Sequence, residues 1–147
     1  MALVKVFLAR CWLDEHPTHQ YFVLETDEDC CRILESEGIL CDKRPQKHSI
    51  DLVIASHVLE HVTDPISFLG DLTHYLKLGG CIFIEVPCQD FLHKPLDEPH
   101  LLFFNGKSMQ NLLKRVGFVD IHTAYYGRSI SSLKKSFSFS YTLNTIR

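Results

Sequence analysis

The stretch "IDLVIASHVLEHVTDP", Ile50 to Pro65, decides the fold. Its first six residues form a nearly continuous apolar run, which is typical of a parallel strand covered on both faces. Asp64 and Pro65 then offer a helix cap and a first helical residue, so a helix is predicted to begin there. Ser56 and His57 follow the carboxyl end of the strand directly, which is where open α/β sheets bind their ligands.

Apolar runs of the same kind flank this stretch. They are Tyr21–Glu25 ("YFVLE"), Cys81–Val86 ("CIFIEV") and the weaker Gly38–Asp42 ("GILCD"). Helices are predicted for Glu28–Glu37 between Asp27 and Gly38, from Asp64 through Leu76 to Gly79-Gly80, and from Lys107 or Ser108 to Gly117. The alternation of strands and helices predicts a Rossmann-like α/β fold with a mostly parallel sheet and helices on both faces. In it, Ile50–Ala55 and Cys81–Val86 should be adjacent parallel strands.

The end of the chain has a different pattern. In "SFSFSYTL", Ser136 to Leu143, aromatic and aliphatic residues alternate strictly with Ser and Thr. A period of two is typical of a half-exposed antiparallel strand. We expect this strand at an edge of the sheet.

Composition limits the class of protein. The 147 residues, 46% of them hydrophobic, suit one domain (1–147) with an ordinary core. A net charge of −3 gives no general attraction to nucleic acid, and no apolar run approaches the ~20 residues that span a bilayer. Lys5 and Arg10 interrupt the apolar start, which makes it a poor signal peptide, and we expect a cytoplasmic protein.

The six cysteines show no C-x-x-C spacing, and most of them lie inside apolar segments. This pattern favours reduced thiols in the core over disulfides or a metal cluster.

Three stretches, taken together, resemble a known family. They are "IDLVIASHVLEHVTDP", "LKLGGCIFIEVP" (Leu76–Pro87) and "EPHLLFFNGKSMQNLLKRVGF" (Glu98–Phe118), and they occur in the order and at the separations of class I S-adenosylmethionine-dependent methyltransferases. The resemblance covers about residues 21–126. It implies a seven-stranded sheet whose last strand is antiparallel, and S-adenosylmethionine as the cofactor.

The resemblance also implies cofactor-binding residues. Glu25, followed by Thr26 at the end of "YFVLET", would accept both ribose hydroxyls, because a carboxylate can take two hydroxyl donors with charge assistance. Asp42 would lie near the adenine amine, and Ala55, Ser56 and His57 would border the methionine part. From the residues alone, Glu25 also fits a helix-initiating acid beside Asp27.

The chain departs from the family in one place. A G-x-G-x-G loop should precede "YFVLE", yet no glycine occurs before Gly38. If Leu3–Ala9 were a strand, the connection to Gln20 would be too short for a parallel crossover. A helix fits better, because its apolar residues share one helical stripe and Pro17 ends the segment. The residues of this stripe are Val4, Phe7, Leu8, Cys11 and Trp12. We therefore expect a helix here, and a chain that begins inside the first family helix without the preceding central strand.

His57, His61 and His100 are the candidate general bases, although each also suits a structural role. His57, Glu60 and His61 spell H-x-x-E-H, which on a helix is the motif of inverted zinc peptidases. No third ligand is evident, and the helix is predicted to begin only at Asp64, so we expect no metal.

Three functions stay open at this point. The first is an S-adenosylmethionine-dependent methyltransferase acting on an unidentified small-molecule or other acceptor, impaired by the missing glycine loop. The second is a catalytically silent methyltransferase-like interaction module, and the third, more remote, is a zinc peptidase. A sheet that lacks its middle strand would also expose apolar edges and favour homo-oligomers.

Overall fold

The computed structural model describes residues 2–41, 45–88, 100–127 and 138–146. The chain divides into two compact units, Met1–Pro45 and Gln46–Arg147. That both belong to one domain stays a prediction. Within the described ranges, no helix combines the length and the apolar character that a bilayer span requires.

The first unit pairs two helices with two short parallel strands. Its elements are α1 (Ala2–Glu15), β1 (Phe22–Val23), α2 (Glu28–Ser36) and β2 (Leu40–Cys41). The helix predicted at the start of the chain is confirmed by α1. A small core of Ala9, Val23, Leu34 and Ile39 holds the unit together, and burial beside it raises the pKa of the Tyr21 phenol.

Local capping explains the bounds of α2. The Asp27 carboxylate accepts hydrogen bonds from the backbone N–H groups of Asp29 (2.9 Å) and Cys30 (3.1 Å), which would otherwise lack helical partners. Gly38, with φ at +76°, adopts the left-handed conformation that lets the chain turn into β2. Both signals were predicted from the sequence.

The expectation that the cysteines are reduced is wrong for two of them. Cys31 in α2 and Cys41 at the end of β2 form a disulfide, with their Cα atoms 5.6 Å apart. They are ten positions apart in the sequence, and the α2–β2 turn brings them together. Within the part of the chain that the structure describes, the four other cysteines form no disulfide.

The second unit is a four-stranded mixed sheet with two helices. Its elements are β3 (Ile50–Ser56), a 3₁₀ helix (Leu59–His61), α3 (Pro65–Tyr75), β4 (Leu76–Pro87), α4 (Gly106–Val116), β5 (Phe118–Gly127) and β6 (Ser138–Ile146). The strand order is β3-β4-β6-β5. As predicted, β3 and β4 are adjacent and parallel, and Asp64 caps α3.

Three details differ from the sequence-based expectations. The helix α3 ends at Tyr75 and not at the glycine pair, because Leu76 already pairs with Ile50 as the start of β4. The last strand is antiparallel as expected, but it lies between β4 and β5 and not at an edge. The described ranges contain six strands in two sheets, not the implied seven in one.

The burial of β4 is also one-sided. Ile82, Ile84 and Val86 are completely buried against residues of α3 and α4, whereas Cys81 and Phe83 on the opposite face are only half-buried. The near-continuous apolar run therefore does not correspond to full burial on both faces. This core fixes the carboxyl ends of β3 and β4.

Candidate functional site

The carboxyl ends of β3 and β4 meet in a pair of polar residues. Ser56 and Glu85 are direct partners in the parallel register, and the Ser56 hydroxyl donates a hydrogen bond of 2.8 Å to Glu85 Oε2. The backbone N–H of His57 donates to the Glu85 carbonyl at 2.9 Å. This backbone hydrogen bond fixes His57, which directly follows β3, against Glu85 of β4.

His57 lies between two carboxylates. Its Nδ1 is 3.2 Å from Glu60 Oε1, and its Nε2 is 3.8 Å from Glu85 Oε1. Its backbone φ is +52°, which is uncommon for a residue other than glycine and is found preferentially at functional sites. The turn after β3 therefore holds this imidazole in a defined place.

Glu60 is the buried charged group of this site. Its exposed fraction is 1%, and its Oε2 has no hydrogen-bond partner among the described residues. It belongs to the 3₁₀ helix, which Leu59, with an exposed fraction of 0%, anchors in the core. Glu60 was considered only as part of the H-x-x-E-H motif, although a glutamate between two histidines after a buried strand was a usable signal for the site.

His61 and His100 complete the cluster. Their ring centroids are 5.0 Å apart in an edge-to-face arrangement, and His61 Nε2 is 3.9 Å from Glu60 Oε1. The Glu60 carbonyl accepts hydrogen bonds from the N–H groups of Leu101 (2.8 Å) and Leu102 (3.1 Å), which places His100 here. All three histidines predicted from the sequence therefore surround one carboxylate.

The H-x-x-E-H motif does not form an α-helix. His57 follows a strand, and only Leu59–His61 is helical, as a single 3₁₀ turn. The zinc peptidase alternative thus lacks the helix that its motif requires. However, one of the two reasons for expecting no metal, the lack of a third ligand, no longer holds, because the described residues bring His100 to Glu60 and His61.

The predicted cofactor residues of the first unit lie at the end of β1. Glu25 Oε1 accepts hydrogen bonds from the backbone N–H groups of Thr26 (2.7 Å) and Asp27 (3.1 Å). This agrees with both interpretations of Glu25, since a carboxylate held in this way can start a helix or face a ligand. Asp42 lies outside the described residues.

In the second unit, Ala55 turns its side chain into the hydrophobic core, so it can border a ligand only through its backbone. Ser56 and His57 are half-buried and carry polar atoms at the strand end. Of the residues predicted next to the methionine part, these two have side chains that can contact a ligand.

Solved structures share this fold. A methyltransferase from Mesorhizobium loti superimposes with a TM-score of 0.70 at 16% identity, over 91% of this chain and 84% of its own. A methyltransferase from Thermotoga maritima gives 0.67 at 18%, over 84% and 72%. Phosphoethanolamine N-methyltransferase 2 of Haemonchus contortus gives 0.59 at 14%, over 80% and 40%.

The first two of these structures are S-adenosylmethionine-dependent enzymes, and the third contains S-adenosylhomocysteine and phosphomonomethylethanolamine. A comparison with curated proteins finds no significant match. A family model described as a methyltransferase domain matches residues 8–123, which is most of the chain. The chain therefore belongs to this methyltransferase domain family.

Proposed function

We propose that the chain is an S-adenosylmethionine-dependent methyltransferase domain that acts on a small-molecule acceptor. The observation that supports this best is the polar cluster at the carboxyl ends of β3 and β4, in a chain of the methyltransferase domain family. Parallel α/β sheets bind ligands at this edge. Small-molecule acceptors suit the proposal because the Haemonchus contortus relative holds one.

Glu25 is the proposed acceptor of the ribose hydroxyls. The N–H groups of Thr26 and Asp27 already fix one oxygen of its carboxylate, so little freedom is lost when a ligand binds. Asp42 keeps its proposed place near the adenine. These two carboxylates are acceptors that suit the hydroxyls and the amine of the nucleoside part of the cofactor, whereas the residues before Gly38 offer no glycine loop for the methionine part.

The protein's chemical task is mainly alignment. When bound, the cofactor supplies a methyl group on an activated sulfonium, so the enzyme must position the acceptor in line. His57 is the proposed general base, because the buried Glu60 lies at its Nδ1. Its Nε2 would take the proton that an acceptor hydroxyl or amine releases.

The test is formation of S-adenosylhomocysteine from millimolar S-adenosylmethionine with a panel of small amines, phenols and carboxylic acids. We expect acceptor-dependent turnover that Glu25→Gln lowers by about tenfold or more, since a charge-assisted contact is lost. Glu35→Gln, an exposed change on α2, is the matched control and should not alter the rate.

A silent interaction module is the second candidate, and the absence of a glycine before Gly38 favours it. Binding of S-adenosylmethionine without turnover for any acceptor would support this candidate. If the protein is folded and shows no binding and no turnover, the first proposal is contradicted.

We also propose that copies of the chain associate through β3, which is an end strand of its sheet. Ile54 in this strand is 38% exposed. We expect Ile54→Lys to weaken self-association about tenfold, because a lysine opposes edge pairing. Sedimentation over a concentration series measures the effect, with Leu78→Lys as the control. Equal association of wild type and both variants would contradict the proposal.

A further inference from the structure

We propose that Glu60, His61 and His100 form a binding site for a divalent transition-metal ion. Each residue offers one ligand atom, a carboxylate oxygen or an imidazole nitrogen, and these three atoms lie within 4.8 Å of one another. Two imidazoles and one carboxylate are a common ligand set for zinc and its neighbours in the periodic table. The function proposed above does not require such an ion.

The spacing of the ligand atoms is close to what a metal needs. Bonds of about 2.0–2.1 Å in a tetrahedral site put ligand atoms about 3.3 Å apart, so the widest pair must close by about 1.5 Å. Side-chain rotation can supply this movement, because His61 is exposed and His100 is only half-buried. The backbone of the site can stay where it is.

The buried carboxylate gives an independent reason for a cation. Glu60 is 1% exposed, and its Oε2 has no hydrogen-bond partner in the part of the chain that the structure describes. A buried carboxylate is costly unless a charge or several donors compensate it. The Nδ1 of His57 lies at hydrogen-bonding distance (3.2 Å) from Oε1, not from Oε2. A metal ion held by this carboxylate would supply the missing interaction.

The scaffold holds the ligands from two segments. Leu59 fixes the 3₁₀ turn in the core, and the Glu60 carbonyl accepts the N–H groups of Leu101 and Leu102. His57 contacts the carboxylate from outside the ligand set, which is the kind of partner that orients ligands in metal sites. The site therefore exists in the fold before an ion binds.

This site differs from that of a zinc peptidase. His57, the first histidine of H-x-x-E-H, is not a ligand here, and His100 comes from a distant segment. Three protein ligands leave a position for water or another small ligand. A bound ion would also join residue 100 to the 3₁₀ turn, next to the proposed base.

Metal titration of untagged protein, stripped with a chelator, tests the proposal. We expect one Zn²⁺ per chain with a dissociation constant of about 1 µM or tighter, measured by competition with a chromophoric chelator. His100→Ala should weaken binding by about 100-fold or more, because even outer partners of metal ligands are worth 10–100-fold. His61→Ala should have a similar effect.

Two controls distinguish this site from adventitious binding. His122→Ala changes an exposed histidine of β5, and His16→Ala changes a histidine that stacks on His19 in the first unit. Neither should alter the affinity. Circular dichroism checks that each variant is folded, and Glu60→Gln, which keeps the side-chain size, provides a second loss-of-binding variant. Absence of 1:1 binding, affinity unchanged in His100→Ala, or loss in His16→Ala would each overturn the proposal.

Discussion

The chain is expected to bind S-adenosylmethionine with a dissociation constant near millimolar, about two to four decades weaker than a micromolar site. In the family, the glycine loop brings backbone N–H groups against the methionine end of the cofactor, and this chain has no glycine before Gly38. Losing two or three such contacts costs about 3–6 kcal/mol when charged groups take part. The proposed contact of Glu25 would hold only the ribose.

Calorimetry at millimolar ligand, with ligand-observed NMR for the weakest binding, measures this affinity. Glu25→Gln should remove the remaining binding, and Glu35→Gln on the exposed side of α2 should leave it unchanged. Micromolar binding by the wild type that Glu25→Gln abolishes would show that another segment replaces the glycine loop. The effect of the missing loop would then be smaller than expected here.

Helix ends marked by a capping residue were the most predictable part of the fold, whereas the end of α3, which has no such residue, was predicted too late in the chain. Asp27 and Asp64 cap α2 and α3 as the sequence indicated, because a carboxylate that accepts from the first turn is a local interaction. Gly117 ends α4 with φ at +106°, a conformation that favours glycine. Such signals depend on a few neighbouring residues and not on the rest of the chain.

Strand neighbours were less predictable. The alternation in Ser136–Leu143 predicts an antiparallel strand, and β6 is antiparallel to both of its neighbours. Its place between β4 and β5 could not be inferred. Alternation of polar and apolar residues indicates which face of a strand is polar, but it does not indicate which strands are hydrogen-bonded to its edges. The Cys31–Cys41 disulfide depends in the same way on the turn between α2 and β2.

The meeting of the three histidines at the candidate site was likewise not predictable from the sequence. The sequence placed His57 at the end of a strand and suggested His61 and His100 separately. It could not show that all three meet at Glu60, because the approach of His100 depends on backbone hydrogen bonds from residues 101 and 102 to the 3₁₀ turn. Tertiary contacts of this kind have no local pattern in the sequence.

Leu59→Ala is expected to lower the free energy of unfolding by about 2–5 kcal/mol, since the truncation leaves a cavity in a close-packed core. Leu59 is 0% exposed and packs in the cluster that joins α3, α4 and the sheet. It also carries the turn that presents Glu60 and His61. The same change should therefore loosen the candidate site, and urea denaturation of folded protein measures the loss of stability.

Ile66→Ala on α3 is the matched control for this change, because Ile66 is an aliphatic residue of the same unit that is 37% exposed. Ile66→Ala should lower the free energy of unfolding by about 1 kcal/mol or less, as for most partly exposed positions. A Leu59→Ala protein as stable as this control would contradict the prediction. The 3₁₀ turn would then be held by its hydrogen bonds to Leu101 and Leu102, and not by the hydrophobic core beneath it.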